Sequence, residues 1–154
     1  MRHIMRHIFL RILAFIVSLL TAVILATFFS TQFIIAGLKT AGADVSLGQR
    51  FSMSLYDIIN MGPIYAIFIT IGLPIAFLVA GLIFRKVKIK RALIYTLAGA
   101  ACFLVMLYLM KAVFFGVPII GGARTPLGLM FQALAGGIAG YIFARLTAKL
   151  VKPI

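Results

Sequence analysis

ILAFIVSLLTAVILATFFSTQFIIAGL, residues 12–38, runs for 27 positions without a charge. A hydrocarbon core about 30 Å thick needs about 20 helical residues to cross it. The stretch predicts a spanning helix over Ile12–Gly37, long enough to tilt or to project from the bilayer. Working outward, three more uncharged runs follow: Ile58–Phe84 (27 residues), Ala92–Met110 (19) and Thr125–Ala144 (20). They predict spans at Ile64–Phe84, Ala92–Val113 and Pro126–Ala144. The expected fold class is all-α: a polytopic membrane protein, one domain over residues 1–154, with four transmembrane helices in one bundle.

Composition agrees. Of 154 residues, 64% are hydrophobic and 11% charged, with a mean hydropathy of +1.22. Soluble domains are about half apolar and a quarter charged, so a soluble globular protein and a disordered chain are both excluded. The net charge of +13 resembles that of a nucleic-acid binder, but the placement of the cations argues for topology instead. Arg2, Arg6, Arg11, Arg85, Lys86, Lys88, Lys90, Arg91, Arg145, Lys149 and Lys152 would share one side of a four-span chain. Lys39, Arg50, Lys111 and Arg124 would share the other. Eleven against four predicts cytoplasmic termini by the positive-inside rule and suits a bacterial inner membrane. No nucleic-acid partner is expected.

The first apolar run exceeds the roughly 7–15 residues of a signal-peptide core. It is expected to be retained as an anchor, although Ala41-Gly42-Ala43 has the form of a cleavage site. The repeat Met1-Arg2-His3-Ile4, Met5-Arg6-His7-Ile8 allows either methionine as the start. Tyrosines favour the headgroup level. The four spans put Tyr65 and Tyr108 near the outer boundary, Tyr95 and Tyr141 near the inner one, and Tyr56 in the outer loop.

Small residues form ladders. The first span carries Ala14, Ser18, Ala22, Ala26 and Ser30 at intervals of four. The last carries Ala133, Gly136, Gly137, Gly140 and Ala144, with a GxxxG from Gly136 to Gly140. Such faces let membrane helices approach closely where no hydrophobic effect drives them together. They serve either internal packing or a seam with another subunit, and the last span is the candidate seam. Thr70, Gly72 and Pro74 near mid-depth of the second span form a candidate hinge, since Pro74 removes a backbone hydrogen bond and a kink is expected there.

Between the first two spans, Ser46-Leu47-Gly48-Gln49 fits the S-x-x-Q capping box. Behind it Leu47, Phe51, Leu55, Ile58 and Ile59 recur at helical spacing, so residues 47–61 predict a short amphipathic outer helix. The alternation over Phe51–Leu55 also permits a strand, which would have no partner. The loop from Phe114 to Thr125, with Gly116, Pro118, Gly121 and Gly122, is apolar enough to dip into the membrane. Thr125-Pro126 is an N-cap followed by proline at the first helical position. Arg124, just before that helix start, is a candidate contact for a lipid phosphate, a carboxylate or Asp57. Gln132, Arg50 and Asp57 complete the candidate ligand or lipid contacts. The basic turn Arg85, Lys86, Lys88, Lys90 and Arg91 is expected to hold anionic lipids, each cation contributing about 1 kcal/mol.

Chemistry-bearing residues are few. The chain has no Glu, and Asp44 and Asp57 lie outside the spans. His3 and His7 sit in the N-terminal flank, and Cys102 is single. No catalytic residue, metal site or cofactor is expected from these residues, and intramembrane carboxylate coupling is excluded. The sequence favours a non-catalytic membrane subunit that packs in a complex through small-residue faces, as a homo-oligomer or with a membrane-protein partner. One alternative is a small oligomeric transporter or channel for a neutral, lipidic or anionic solute, using Pro74, Arg124 and Gln132. Another is a lipid-binding or lipid-modifying protein.

Overall fold

The computed structural model describes residues 2–87, 89–116 and 120–148. Met1, Lys88, Pro118, Lys149 and Lys152, with the side chains of Arg2 and His3, lie outside the described residues. The chain is all-helical in the order α1 (Arg2–Thr40), α2 (Leu47–Asn60), α3 (Gly62–Lys86), α4 (Arg91–Val113) and α5 (Pro126–Leu146), with a 3-10 turn at Gly121–Ala123 before α5. Helices α1, α3, α4 and α5 are long and apolar enough to cross a membrane.

The helix ends follow local chemistry. At 39 residues, α1 is about 58 Å long by its 1.5 Å rise per residue, nearly twice a hydrocarbon core. It extends beyond the predicted span at both ends. Gly42, at φ +89, lets the chain leave α1 in the left-handed region. The capping box forms: Gln49 N–H donates to Ser46 Oγ (3.3 Å) and Ser46 N–H donates to Gln49 Oε1 (2.9 Å). Residues 51–55 are helical, which removes the strand reading. A single residue, Met61, joins α2 to α3. At α5, Gly128 N–H donates to Thr125 Oγ1 (3.0 Å), and Pro126 occupies the first turn.

Backbone contact between α4 and α5 is the tightest in the bundle. A Cβ on Gly99 would run into the Gly136 carbonyl, one on Gly136 into the Gly99 carbonyl and the Phe103 ring, and one on Gly140 into the Tyr95 carbonyl. Gly137 of α5 also faces α4, at Thr96 and Ala100. Ala144 is buried and Ala133 half-buried. The GxxxG face is thus occupied by α4 of its own chain. The α1 ladder lies against the last helix and the turn before it. All five of its residues are buried, Ser18 Oγ donates to the Ala139 carbonyl (2.6 Å), and Gly122 N–H donates to Ser30 Oγ (3.1 Å). The turn at Gly121–Ala123 therefore docks on α1.

Two of the tyrosines turn inward. Tyr108, Tyr141 and Tyr56 are exposed, whereas Tyr65 and Tyr95 are buried in the core. Depth alone does not decide which way a ring points. These two lie on faces of α3 and α4 that meet other helices.

Replacing Gly136 with Ala puts a methyl against backbone and a packed ring that no rotamer change can move. The expected cost is about 1–3 kcal/mol, seen as a lower unfolding temperature of the detergent-solubilised protein. Gly37→Ala, at a helical position with open space around it, is expected to hold or slightly raise that temperature. Equal effects of the two substitutions would contradict the packing described.

Candidate functional site

Polar and charged side chains gather at three levels of the bundle. In the core, Gln132 of α5 is fully buried. Its Oε1 accepts from the Tyr65 hydroxyl of α3 (2.9 Å), and its Nε2 donates to the Ala26 carbonyl of α1 (3.0 Å). One side chain thus joins three helices, and its bonds are taken up inside the protein. Of the candidate ligand contacts, Gln132 is consequently a structural clamp in this geometry.

At the α2 end, Asp57 Oδ2 accepts from Thr31 Oγ1 of α1 (2.7 Å). Gln32 Nε2 donates to Ser54 Oγ (3.0 Å), which donates on to the Arg50 carbonyl (2.8 Å). The half-buried Arg50 keeps its Nε buried with no partner among the described residues. Helix α2 therefore turns its polar side toward α1, where these bonds are made. Its apolar stripe looks away: Leu47 is 82% exposed and Phe51 72%, with Leu55 and Ile59 exposed below them. Arg124 is also exposed, in the short link between the 3-10 turn and α5. The structure brings Arg50 and Asp57 onto one helix beside α1, and leaves Gln132 in the core and Arg124 on the surface.

The candidate hinge residues face three ways. Thr70 is exposed, Gly72 lies against the Cys102 sulfur of α4, and Pro74 lines a cleft. Helix α3 runs continuously through Pro74 from Gly62 to Lys86.

At the opposite, basic end α1 and α3 enclose that cleft, a cavity of about 1180 Å³. Its wall includes an aromatic cluster. Phe77 stacks on Phe143 at 4.5 Å between centroids, and Tyr95 stands 5.6 Å from each. Arg91 is fixed beside it. Nη1 donates to the Ala144 carbonyl (2.8 Å), Nη2 donates to Thr147 Oγ1 (2.7 Å), and the guanidinium lies 4.7 Å over the Tyr95 ring. A cation on the last carbonyls of a helix also complements the helix dipole. Sequence reasoning placed Arg91 with the lipid-facing cations of the basic turn and missed this role. The aromatic cluster was also missed, because it draws one residue from each of three helices and no single helix displays it. Higher in the bundle Ala22, Ala26, Ile69 and Leu73 are fully buried and close the interior above the cleft. His7 is exposed in α1, and no group of three His, Cys, Asp or Glu side chains clusters among the described residues.

The Gln132 clamp supports a double-mutant test. Gln132→Leu strands the Tyr65 hydroxyl and is expected to cost about 1–3 kcal/mol. Adding Tyr65→Phe removes the stranded donor and is expected to restore part of the loss. Thermal or denaturant unfolding of the two single variants and the pair reads the coupling, and strict additivity would argue against the clamp. Comparison with protein-family models, with curated proteins and with solved structures finds no match, so function is read from the two ends of this bundle.

Proposed function

We propose that this chain is a non-catalytic accessory subunit of a membrane complex, and that helix α2 is the element it docks with. The observation that carries this reading is the inverted arrangement of α2, with polar groups toward its own bundle and an apolar stripe outward. The level of the stripe matters. From Arg11, about 20 residues at 1.5 Å each cover a 30 Å hydrocarbon core and reach Thr31. Lys111 and Pro126 stand at a similar distance from Arg91 and Leu146. Asp57, bonded to Thr31, therefore sits at the boundary. Leu47 and Phe51 lie about 5–15 Å farther out along α2, in the headgroup layer or beyond it. Acyl chains do not reach that level. A contiguous apolar face there marks an interaction surface.

The small-residue faces expected to serve association are taken up within the chain, which leaves α2 as the better candidate. Arg50, a half-buried cation on the same helix, adds a chemical preference: the partner presents an apolar helix or groove bordered by a carboxylate. With eleven cations predicted on one side, the termini would face the cytoplasm and α2 the far side of a bacterial inner membrane.

A photocrosslinking amino acid at Leu47 or Phe51, in native membranes, is expected to give one adduct of fixed mass with a different protein. The same probe at Ile71, on the lipid-facing side of α3, is expected to give only lipid adducts. Leu55→Glu or Arg50→Ala should abolish the protein adduct while the chain still inserts. Lipid adducts alone at 47 and 51 would reassign α2 to the headgroup layer. Adducts between two copies would replace the heteromeric complex with a homo-oligomer.

A further inference from the structure

We propose that the cleft at the basic end is a binding site for one anionic phospholipid. Its phosphate would be held among Arg11, Arg85 and Arg91, and its acyl chains would lie along the aromatic wall. This rests on different residues from the α2 reading and stands without it.

The cleft has the two-part chemistry of an amphiphile. Its volume of about 1180 Å³ exceeds the roughly 300–1,000 Å³ of pockets that hold drug-sized molecules. Apolar side chains dominate its lining, which extends along α3 from Pro74 to Arg85. Its mouth is apolar and outward-facing, with Ile12, Leu78 and Leu82 more than half exposed. These three lie on spanning helices at a depth where acyl chains surround the protein. Three arginines from three helices, Arg11 of α1, Arg85 of α3 and Arg91 of α4, line the cleft.

No acidic side chain can neutralise them. The chain has two acidic residues, Asp44 and Asp57, and both belong to the segment between α1 and α3 at the other end of the bundle. Arg11 and Arg85 are exposed and Arg91 is half-buried, so an anion from outside the chain can reach all three, and the apolar lining of the cleft suits an anion that carries chains. A small free anion would leave the aromatic wall bare. A zwitterionic lipid would bring its own cation to the three arginines.

The site is also prebuilt. Arg91 is fixed by two hydrogen bonds and the Tyr95 ring, so little side-chain freedom remains to be lost on binding. Two of its N–H groups are engaged, and a guanidinium has five. Remaining donors are available to phosphate oxygens. The Tyr95 hydroxyl stands at Gly81, where even a methyl would come within 3.2 Å of it, so the glycine leaves room on this wall.

The chain has no tryptophan, which permits a clean optical test. Leu78→Trp places a reporter at the cleft mouth, where Leu78 is 70% exposed. Leu97→Trp places one on the lipid-facing side of α4, where Leu97 is 61% exposed. Both lie about 10 Å from the basic end along their helices. Each variant is reconstituted in phosphatidylcholine vesicles containing a minor fraction of phosphatidylglycerol with brominated, quenching chains. The expected result is a preference for phosphatidylglycerol over phosphatidylcholine of about fivefold or more at the cleft-mouth reporter, and near unity at the α4 reporter. In the Arg11→Gln/Arg85→Gln background the preference at the cleft mouth is expected to fall to that on α4. Native mass spectrometry of the unmodified chain provides a second reading: one phosphatidylglycerol retained after exchange into phosphatidylcholine nanodiscs. Equal quenching at the two positions, or loss of every phosphatidylglycerol on exchange, would show a general annular shell and overturn the proposal.

Discussion

Backbone-to-backbone contact between α4 and α5 is the constraint on which this bundle is built. Between membrane spans the hydrophobic effect supplies no attraction, since lipid chains are as apolar as leucine. Stability has to come from dispersion and polar contacts, and both fall off steeply with separation. Gly99, Gly136 and Gly140 remove the side chains that would hold the two helices apart. Once α5 is seated, its other faces are fixed in space. Gln132 is presented to α1 and α3, Ala139 to Ser18, and the last carbonyls to Arg91. The glycines thus fix where α5 makes its polar bonds to the other helices.

The same seating explains why the bundle closes at one level and opens at another. Around Gln132, three helices are bound to one side chain, and small or fully buried apolar residues fill the space. Toward the basic end the contacts pass to large rings. Phe77, Tyr95 and Phe143 form one cluster across α3, α4 and α5, and α1 contributes Ile12 and Phe15 on the far side of a cavity. Bulky, stiff side chains on three helices leave no small-residue ladder for the fourth to close upon.

The architecture was legible in the sequence because bilayer thickness sets helix length, and uncharged runs of 19 to 27 residues can be counted. The caps at Ser46 and Thr125 were legible for a similar reason: each is a local hydrogen bond between residues three apart. The facing of individual side chains was harder to read. Tyr65 and Tyr95 lie at depths appropriate to an aromatic belt, and only the direction in which their helices face turns them inward. Gln132 was recognised as an uncommon polar group in a span, but its partners stand 67 and 106 residues away in sequence. Likewise the GxxxG pattern signals close approach without specifying whether the partner is within the chain. Arg91 was counted in a basic turn, yet it caps a helix 53 residues farther on. In each case the missing information was tertiary.

Charge distribution carries the last step. The two carboxylates are confined to the α1–α2 linker and α2, and one of them, Asp57, is already bonded to Thr31. The rest of the chain is a cationic body whose basic end has no acidic side chain to compensate it. Isolated cations at a water boundary need no partner, because water and counterions screen them. Arg11 and Arg85 are exposed and Arg91 half-buried, and all three line a cleft whose other walls are apolar, so an anion bound there would meet cations on one side and apolar side chains on the other. A lipid phosphate is the anion present at that level at high local concentration. On the proposed reading the α2 end reverses the situation: its exposed apolar side chains would extend beyond the acyl chains. Each end therefore presents a surface that its immediate solvent leaves incompletely satisfied. The two proposals therefore name different partners, a headgroup with chains at the basic end and a protein face at α2.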